Sequence, residues 1–242
     1  TWQTVGSRGL FSDGIALLRA IEDAKNQIRE MASVVFRVPK EDVEVADGYV
    51  YSRTHPWLRK ELREFANGYM FPDGTTVGGP VIGRGTYAPV LNTFLDEKGH
   101  GSNTVFHTFG ATAVEIELNL LTGEIRIVKA VQVFDVGRAI NLLTLRGQAD
   151  GGFIMGMGSA LFEEIRFDES GWVLNPNLTH YYVPRISDVN FEIEERFLET
   201  PQKDGPLGAR GIGEHVMIAV APAIANAVLQ ATGVKINYLP MK

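Results

Sequence analysis

The stretch Thr112-Ala113-Val114-Glu115-Ile116-Glu117-Leu118, then Thr122-Gly123, then Glu124-Ile125-Arg126-Ile127-Val128-Lys129-Ala130-Val131-Gln132-Val133-Phe134, decides how this chain folds. The first run alternates at the period of a half-buried strand. Thr122-Gly123 is a turn pair, and the second run is long and rich in β-branched residues. Together they predict a long, central β-hairpin. A helical segment over residues 142–161 follows it. There Gly147, Gly151, Gly152, Gly156 and Gly158 each cost about 1 kcal/mol relative to Ala if helical. Close packing against a cofactor or another backbone would account for them, and so would a plain loop or a tight helix crossing.

Upstream of the hairpin, residues 68–103 are rich in Gly, Pro, Thr and Asp, as in Pro72-Asp73-Gly74 and Gly78-Gly79-Pro80. A connection this long is functional or joins domains. Earlier still, Ser12-Asp13-Gly14 supplies cap chemistry for a first helix carrying Ile15, Leu18, Ile21, Ala24, Ile28, Met31 and Ala32 at helical spacing. Val43-Glu44-Val45 and Tyr49-Val50-Tyr51 flank Asp47-Gly48 as a short hairpin. Residues 56–65 read as a modest helix closed by Asn67-Gly68. Downstream, short strands are expected over residues 162–167 and 190–197. An apolar helix over residues 214–231 comes last, kinked or split by Pro222. The fold class is α+β: mixed sheets with packed helices, in two subdomains.

With 242 residues, 45% of them apolar, the chain has enough for ordinary cores. A formal charge of -6 and a pI near 5.4, with no basic run, argue against binding nucleic acid. The absence of cysteine excludes disulfides and a thiolate-held iron–sulfur cluster within this sequence, and suits a cytoplasmic protein. No run approaches roughly 18 consecutive apolar residues, so no membrane span is expected. Thr1 in place of Met predicts a fragment, or one product of a divided larger chain.

The stretch Gly205-Pro206-Leu207-Gly208-Ala209-Arg210-Gly211-Ile212-Gly213-Glu214 delivers one carboxylate at the end of a glycine-rich turn, just before the last helix. The helix N-terminus aims unpaired N–H groups at the same spot, which suits a positioned base or an anion site. A carboxylate favoured by the helix dipole in a first turn is the plainer alternative. Other chemistries fail on spacing. Gly211-Ile212-Gly213 would need a third glycine at Val216, and Gly156-Met157-Gly158 one at Leu161, so there is no dinucleotide fingerprint. A phosphate loop would need Lys followed by Ser or Thr where Glu214-His215 stands. His55, His100, His107, His180 and His215 have no zinc-site spacing, and no serine elbow occurs.

Four motifs in order resemble one family. Thr4-Val5-Gly6-Ser7-Arg8-Gly9 before a helix, Gly110-Ala111-Thr112-Ala113-Val114-Glu115-Ile116-Glu117 with Thr122-Gly123-Glu124, Asp135-Val136-Gly137-Arg138-Ala139-Ile140-Asn141 leading to Gly147-Gln148-Ala149-Asp150-Gly151-Gly152, and Gly211-Ile212-Gly213-Glu214 are similar to the C-terminal portion of the molybdenum-binding subunit of the xanthine dehydrogenase and aldehyde oxidase family. The resemblance covers nearly the whole chain. It implies a molybdopterin-binding α+β region in residues 1–80 and 104–242, as two interleaved subdomains, with 68–103 as the connecting segment.

The resemblance also implies a molybdenum hydroxylase that oxidises an electron-poor carbon with water as oxygen source. Its metal is held by the pterin and by no protein ligand. Glu214 inherits the role of general base, and Gln148 bonds the pterin. Gly6, Ser7, Arg8, Gly9, Gly147, Gly211 and Gly213 complete the cofactor-binding set. Metal and burial pull the pKa of Glu214 in opposite directions. Both the dinucleotide and the monophosphate forms of molybdopterin are open, and a split-chain organisation points toward the cytosine dinucleotide. The implied partners are the upstream portion of the molybdenum subunit, a [2Fe–2S] subunit and an FAD subunit. N-heteroaromatics, aldehydes, acyl thioesters and carbon monoxide are all open as substrates, with Gly205-Pro206-Leu207-Gly208-Ala209-Arg210 leaning toward heteroaromatic or aromatic-thioester hydroxylases. A cofactor-holding or assembly chain without chemistry, and an unrelated interaction module, are the alternatives.

Overall fold

The computed structural model describes residues 4–89 and 93–241. Contacts divide them into two compact units, one formed by residues 12–88 and the other by residues 4–11 together with those from 89 onward.

In the unit of residues 12–88, most of helix α1 (Gly9–Phe36) packs on a three-stranded antiparallel sheet, β1 (Val43–Ala46), β2 (Tyr49–Ser52) and β3 (Arg59–Glu61), with β2 in the middle. Ile28, Met31, Ala32 and Phe36 recur at helical spacing and bury against Val43, Val45, Val50 and Phe65. Asp47 and Gly48 take φ of 51° and 78°, as a two-residue hairpin turn requires. Two expectations need correction here. Helix α1 begins at Gly9, so Ser12 is a buried residue inside it and not its cap. Residues 56–65 do not form a helix, because residues 59–61 pair with Tyr49–Tyr51 along the second edge of β2. Only one 3₁₀ turn, Leu62–Phe65, follows, closed by a reciprocal Glu61–Glu64 capping box.

Within residues 68–88, β4 (Tyr69–Met70) and β5 (Thr76–Val77) form a minimal hairpin. The chain then runs along α1 without regular structure. Gln27 Nε2 donates to the Ile82 carbonyl at 2.8 Å and Arg84 N–H to Asp23 at 2.9 Å. A Cβ on Gly83 or Gly85 would come within 2.1 Å of an α1 carbonyl, so both glycines serve close backbone approach.

The other unit is built on the predicted hairpin, β6 (Phe109–Leu118) and β7 (Ile125–Asp135), with a bulge at Glu115/Ile116. β8 (Glu192–Leu198) adds to β7 in parallel, putting β7 at the centre. A parallel neighbour needs a long crossover, which contains α2 (Leu142–Leu161). α2 is capped by Asn141, whose side chain accepts from the N–H groups of Leu143 and Thr144. One apolar cluster joins Ile127 and Ala130 to Phe153, Met157, Val220 and Ile224. A second joins Phe134 and Val136 to Leu145, Ala149 and Val216.

The strand expected over residues 162–167 is absent. Its place in a ladder is taken by the buried Asn175 side chain, which accepts from Arg166 N–H and donates to the Glu164 carbonyl, leaving a single bridge between Phe167 and Val173. The last helix is split, but at Ala219 and not at Pro222: α3 is His215–Ile218 and α4 is Val220–Thr232. Pro222 falls in the first turn of α4, where its missing N–H costs no helical bond. The window His215–Thr232, with mean hydropathy 1.4, is long and apolar enough by length and composition to cross a membrane, though His215, Asn226, Gln230 and Thr232 keep it from being an unbroken apolar run. Its apolar positions Val216, Val220, Ile224 and Val228 are instead buried inside this unit.

Candidate active site

Gly6 and Ser7 adopt φ of 63° and 56° in the turn before α1. A non-glycine residue in that region is strained by an amount on the order of 1–3 kcal/mol, and such strain marks a constrained position. The turn aims three donors at one carboxylate: Gly6 N–H at 3.1 Å from Glu214 Oε1, with Ser7 N–H at 2.8 Å and Ser7 Oγ at 3.0 Å from Glu214 Oε2. Glu214 N–H donates back to Ser7 Oγ at 3.1 Å, closing a reciprocal pair. The glycines of Gly211-Ile212-Gly213 make this fit possible. A Cβ on Gly211 would lie 1.6 Å from the Ser7 carbonyl oxygen, and one on Gly213 would lie 2.8 Å from Ser7 Oγ.

Glu214 lies at the surface of a cleft of about 440 Å³ whose wall includes Ser7, Gly9, Gln148, Gly152, Met155 and Gly211. Its own backbone N–H and the Ser7 hydroxyl, helped by the N–H groups of Ser7 and Gly6, hold its carboxyl below the usual range against the opposing effect of burial. The group is therefore ionised at neutral pH, the form that accepts a proton. Burial lowers the pKa of the neighbouring His215, and Glu214 opposes the shift. The His215 ring stands edge-on to Phe134 at 5.5 Å, with Nδ1 3.5 Å from Ser7 Oγ and Nε2 buried without a partner.

Gln148 projects from α2 into the same cleft, and its Nε2 donates to the Gly213 carbonyl at 3.2 Å. The α2 glycines divide into two sets. Gly152 and Gly156 face Val216 and Val220 so closely that a Cβ would meet a valine carbon at 1.9 and 2.5 Å, which accounts for them by a tight helix crossing. Gly147 and Gly151 have nothing within 4 Å of a Cβ position and leave the helix backbone open beside Gln148.

Of the expected site residues, Ser7, Gly9, Gln148, Gly211, Gly213 and Glu214 share the cleft wall. Gly6, Arg8 and Gly147 are outside it. The Gly6 and Ser7 amides, in the set that the resemblance gives to the cofactor, donate to Glu214.

Behind the turn, Asp135 and Arg210 form a largely buried ion pair at 3.1 Å. Burial raises the Asp135 pKa, but the Gly137 N–H, Thr200 and Arg210 outweigh it and bring it below the usual value. Gly137, at φ 70°, packs so close to Gly208 that a Cβ would meet its carbonyl oxygen at 2.4 Å. The Asp135-Val136-Gly137 bend thus braces the loop that delivers Glu214. Among the described residues, no group of three His, Cys, Asp or Glu side chains converges as a metal-ligand set. A metal at this cleft would bring its own ligands.

Residues 1–190 match the family described as the molybdopterin cofactor-binding domain; the Gly205 to Glu214 loop lies beyond the matched region. The putative xanthine dehydrogenase molybdenum-binding subunit of Escherichia coli is 41% identical over 134 residues, covering 55% of this chain and 18% of that protein. The nicotine 6-hydroxylase large subunit of Paenarthrobacter nicotinovorans is 26% identical over 94% of this chain and 27% of its own length. The chain thus spans about a fifth to a quarter of these relatives. In fold it is similar to quinoline 2-oxidoreductase from Pseudomonas putida 86, with a TM-score of 0.75 at 24% identity over 98% of this chain and 29% of that one. The match over residues 1–190 shows that the chain belongs to the molybdopterin cofactor-binding domain family, and it is similar to molybdenum-binding subunits named for xanthine dehydrogenase and aldehyde oxidoreductase.

Proposed function

We propose that this chain is one part of a molybdenum hydroxylase that oxidises an electron-poor carbon of an N-heteroaromatic, aldehyde or acyl-thioester substrate, with Glu214 as the general base. The observation that carries the reading is the Glu214 carboxylate, held ionised by the Gly6–Ser7 turn in a cleft shared with Gln148. When bound, the molybdopterin group, in its cytosine dinucleotide form, supplies the two-electron redox chemistry that no side chain here can supply.

Each turnover takes R–H and water to R–OH, two electrons and two protons. Glu214 receives one of those protons. Of the donors in the Gly6–Ser7 turn, two reach Oε2 and one reaches Oε1, so Oε1 is the oxygen less engaged by the turn and is the receiving atom. Gln148 from α2 and Gly9 from the start of α1 bind the pterin in the cleft, with Gly147 beside Gln148 on the open side of α2, and Gly211 and Gly213 keep the base against its turn. Electrons leave through [2Fe–2S] and FAD groups on partner chains; this chain has no cysteine to hold the iron–sulfur cluster. The upstream portion of the molybdenum subunit completes the substrate pocket, and the complex works in the cytoplasm.

The test is Glu214→Gln in the native complex, with turnover normalised to molybdenum and pterin content. The change keeps the shape and removes the base, so turnover should fall at least about 10²-fold with the cofactor retained. Retained turnover at full cofactor loading would refute the assignment.

A further inference from the structure

The sheet face beneath α2, α3 and α4 is apolar except along one row. Thr112, Gln132 and Glu195 are register partners across β6, β7 and β8, so their side chains share a face. The row separates the two apolar clusters, with Ala130 on one side of Gln132 and Phe134 on the other. Gln132 is fully buried. Its Nε2 donates to the Val216 carbonyl at 2.9 Å, while its Oε1 and Thr112 Oγ1 meet no partner. A buried amide with an unsatisfied oxygen costs stability that an aliphatic side chain of similar volume would not cost.

What the amide holds explains why it is there. Val216 is the second residue after Glu214 and lies in α3, a single turn of four residues that ends at the Ala219 break. So short a helix has almost no stability of its own. Its first residue, His215, leans on Phe134, and Val216 packs in the core. The Gln132 bond fixes the turn's backbone from the central strand, 84 residues away in sequence.

We propose that Gln132 is a positioning residue for Glu214: by holding the Val216 carbonyl it fixes the one-turn helix from which Glu214 reaches the Gly6–Ser7 turn. The carboxylate is thus secured from two sides, by donors on its oxygens and by a side-chain donor on its backbone. The inference rests on the reading of Glu214 as the base.

Gln132→Met tests it in the native complex, because Met has similar volume and no donor. Two quantities are read: kcat and KM at equal molybdenum content, and hydrogen exchange of the backbone amides of residues 215–219. With one hydrogen bond removed, those amides should exchange about 10-fold faster while the β1–β2 hairpin is unchanged, and kcat should fall about 10-fold with KM within about twofold. Gln132→Asn keeps an amide but draws it back by one methylene, so it should give the same exchange pattern and serves where the Met variant does not assemble. Unchanged exchange over residues 215–219, or an increase shared by the whole chain, would overturn the proposal. If Glu214→Gln stays active, the base assignment falls on its own, and the exchange result still decides whether Gln132 holds the turn.

Discussion

Replacing Gly211 by Ala probes the seat of Glu214 directly. The new Cβ would lie 1.6 Å from the Ser7 carbonyl oxygen and 2.8 Å from the Ser7 carbonyl carbon, both backbone atoms that cannot swing aside. A carbon–oxygen contact needs roughly 3.2 Å, so the two strands of backbone must part by about 1.6 Å. The donors of the turn now stand 2.8, 3.0 and 3.1 Å from the carboxylate, and such a shift takes them beyond hydrogen-bonding range. Stability should fall by about 1–3 kcal/mol, as for other overpacked sites. Function should suffer more, because a displacement of about 1 Å at a catalytic group costs on the order of 10²-fold in rate. Released from its donors, Glu214 should titrate closer to an ordinary carboxylate, moving the acid limb of the kcat/KM profile to higher pH. The assay is steady-state turnover against pH in the native complex at matched molybdenum content. Gly213→Ala is the graded comparison, since its Cβ would meet Ser7 Oγ, a rotatable atom, at 2.8 Å. Turnover within about threefold of the parent in Gly211→Ala, with an unmoved acid limb, would refute the reasoning.

Gly147→Ala, where a Cβ meets nothing, should raise the stability of α2 by about 0.5–1 kcal/mol in chemical denaturation yet lower the molybdenum content of the complex. An alanine that leaves the metal content intact would count against Gly147 as a cofactor contact. Burial, and then the bond to Asp150, push Glu195 up to about 7. An acid with a raised folded pKa is more protonated folded than unfolded between about 4.5 and 7, so its contribution to stability is complete below that range and is lost as pH rises through it. Denaturation midpoints measured across that range should therefore decline less steeply in Glu195→Gln than in the parent, and equal slopes would contradict the raised pKa of the half-buried Glu195.

The hairpin and α2 were legible because their signals are local. Alternation over residues 112–118, the Thr122-Gly123 turn and the run to Leu161 each fix an element without help from elsewhere. Residues 59–61 became a strand because a free edge of β2 was available to them, which no local pattern reveals. The break at Ala219 escaped notice for a similar reason, since Pro222 was the visible breaker and is harmless in a first turn. At the proposed site, Glu214 stands out in the sequence as a carboxylate ending a glycine-rich turn, and Gln148 only through motif resemblance. What those motifs did not show is that the Gly6–Ser7 amides face Glu214, a contact spanning 207 residues. Gln132 did leave a trace, as a polar residue at an inward position of β7 among Ile127, Ala130 and Phe134. Such a residue is informative only once the strand's inward face is known. His215 seemed one of five scattered histidines, and its ring contact with Phe134 exists only in the folded chain.

The 207-residue separation between Ser7 and Glu214 also bears on the order of assembly. Closing a loop of that length costs about 2 kcal/mol more entropy than closing one of about 20 residues. The bonds in the seat cannot recover that cost until β7, α2 and α3 are already packed. Glu214 therefore reaches its seat late in folding. A chain caught partway, with its helices formed and its hairpin zipped, still carries a solvated glutamate and an ordinary serine, so the paired seat of Ser7 and Glu214 is completed in one step at the end of folding.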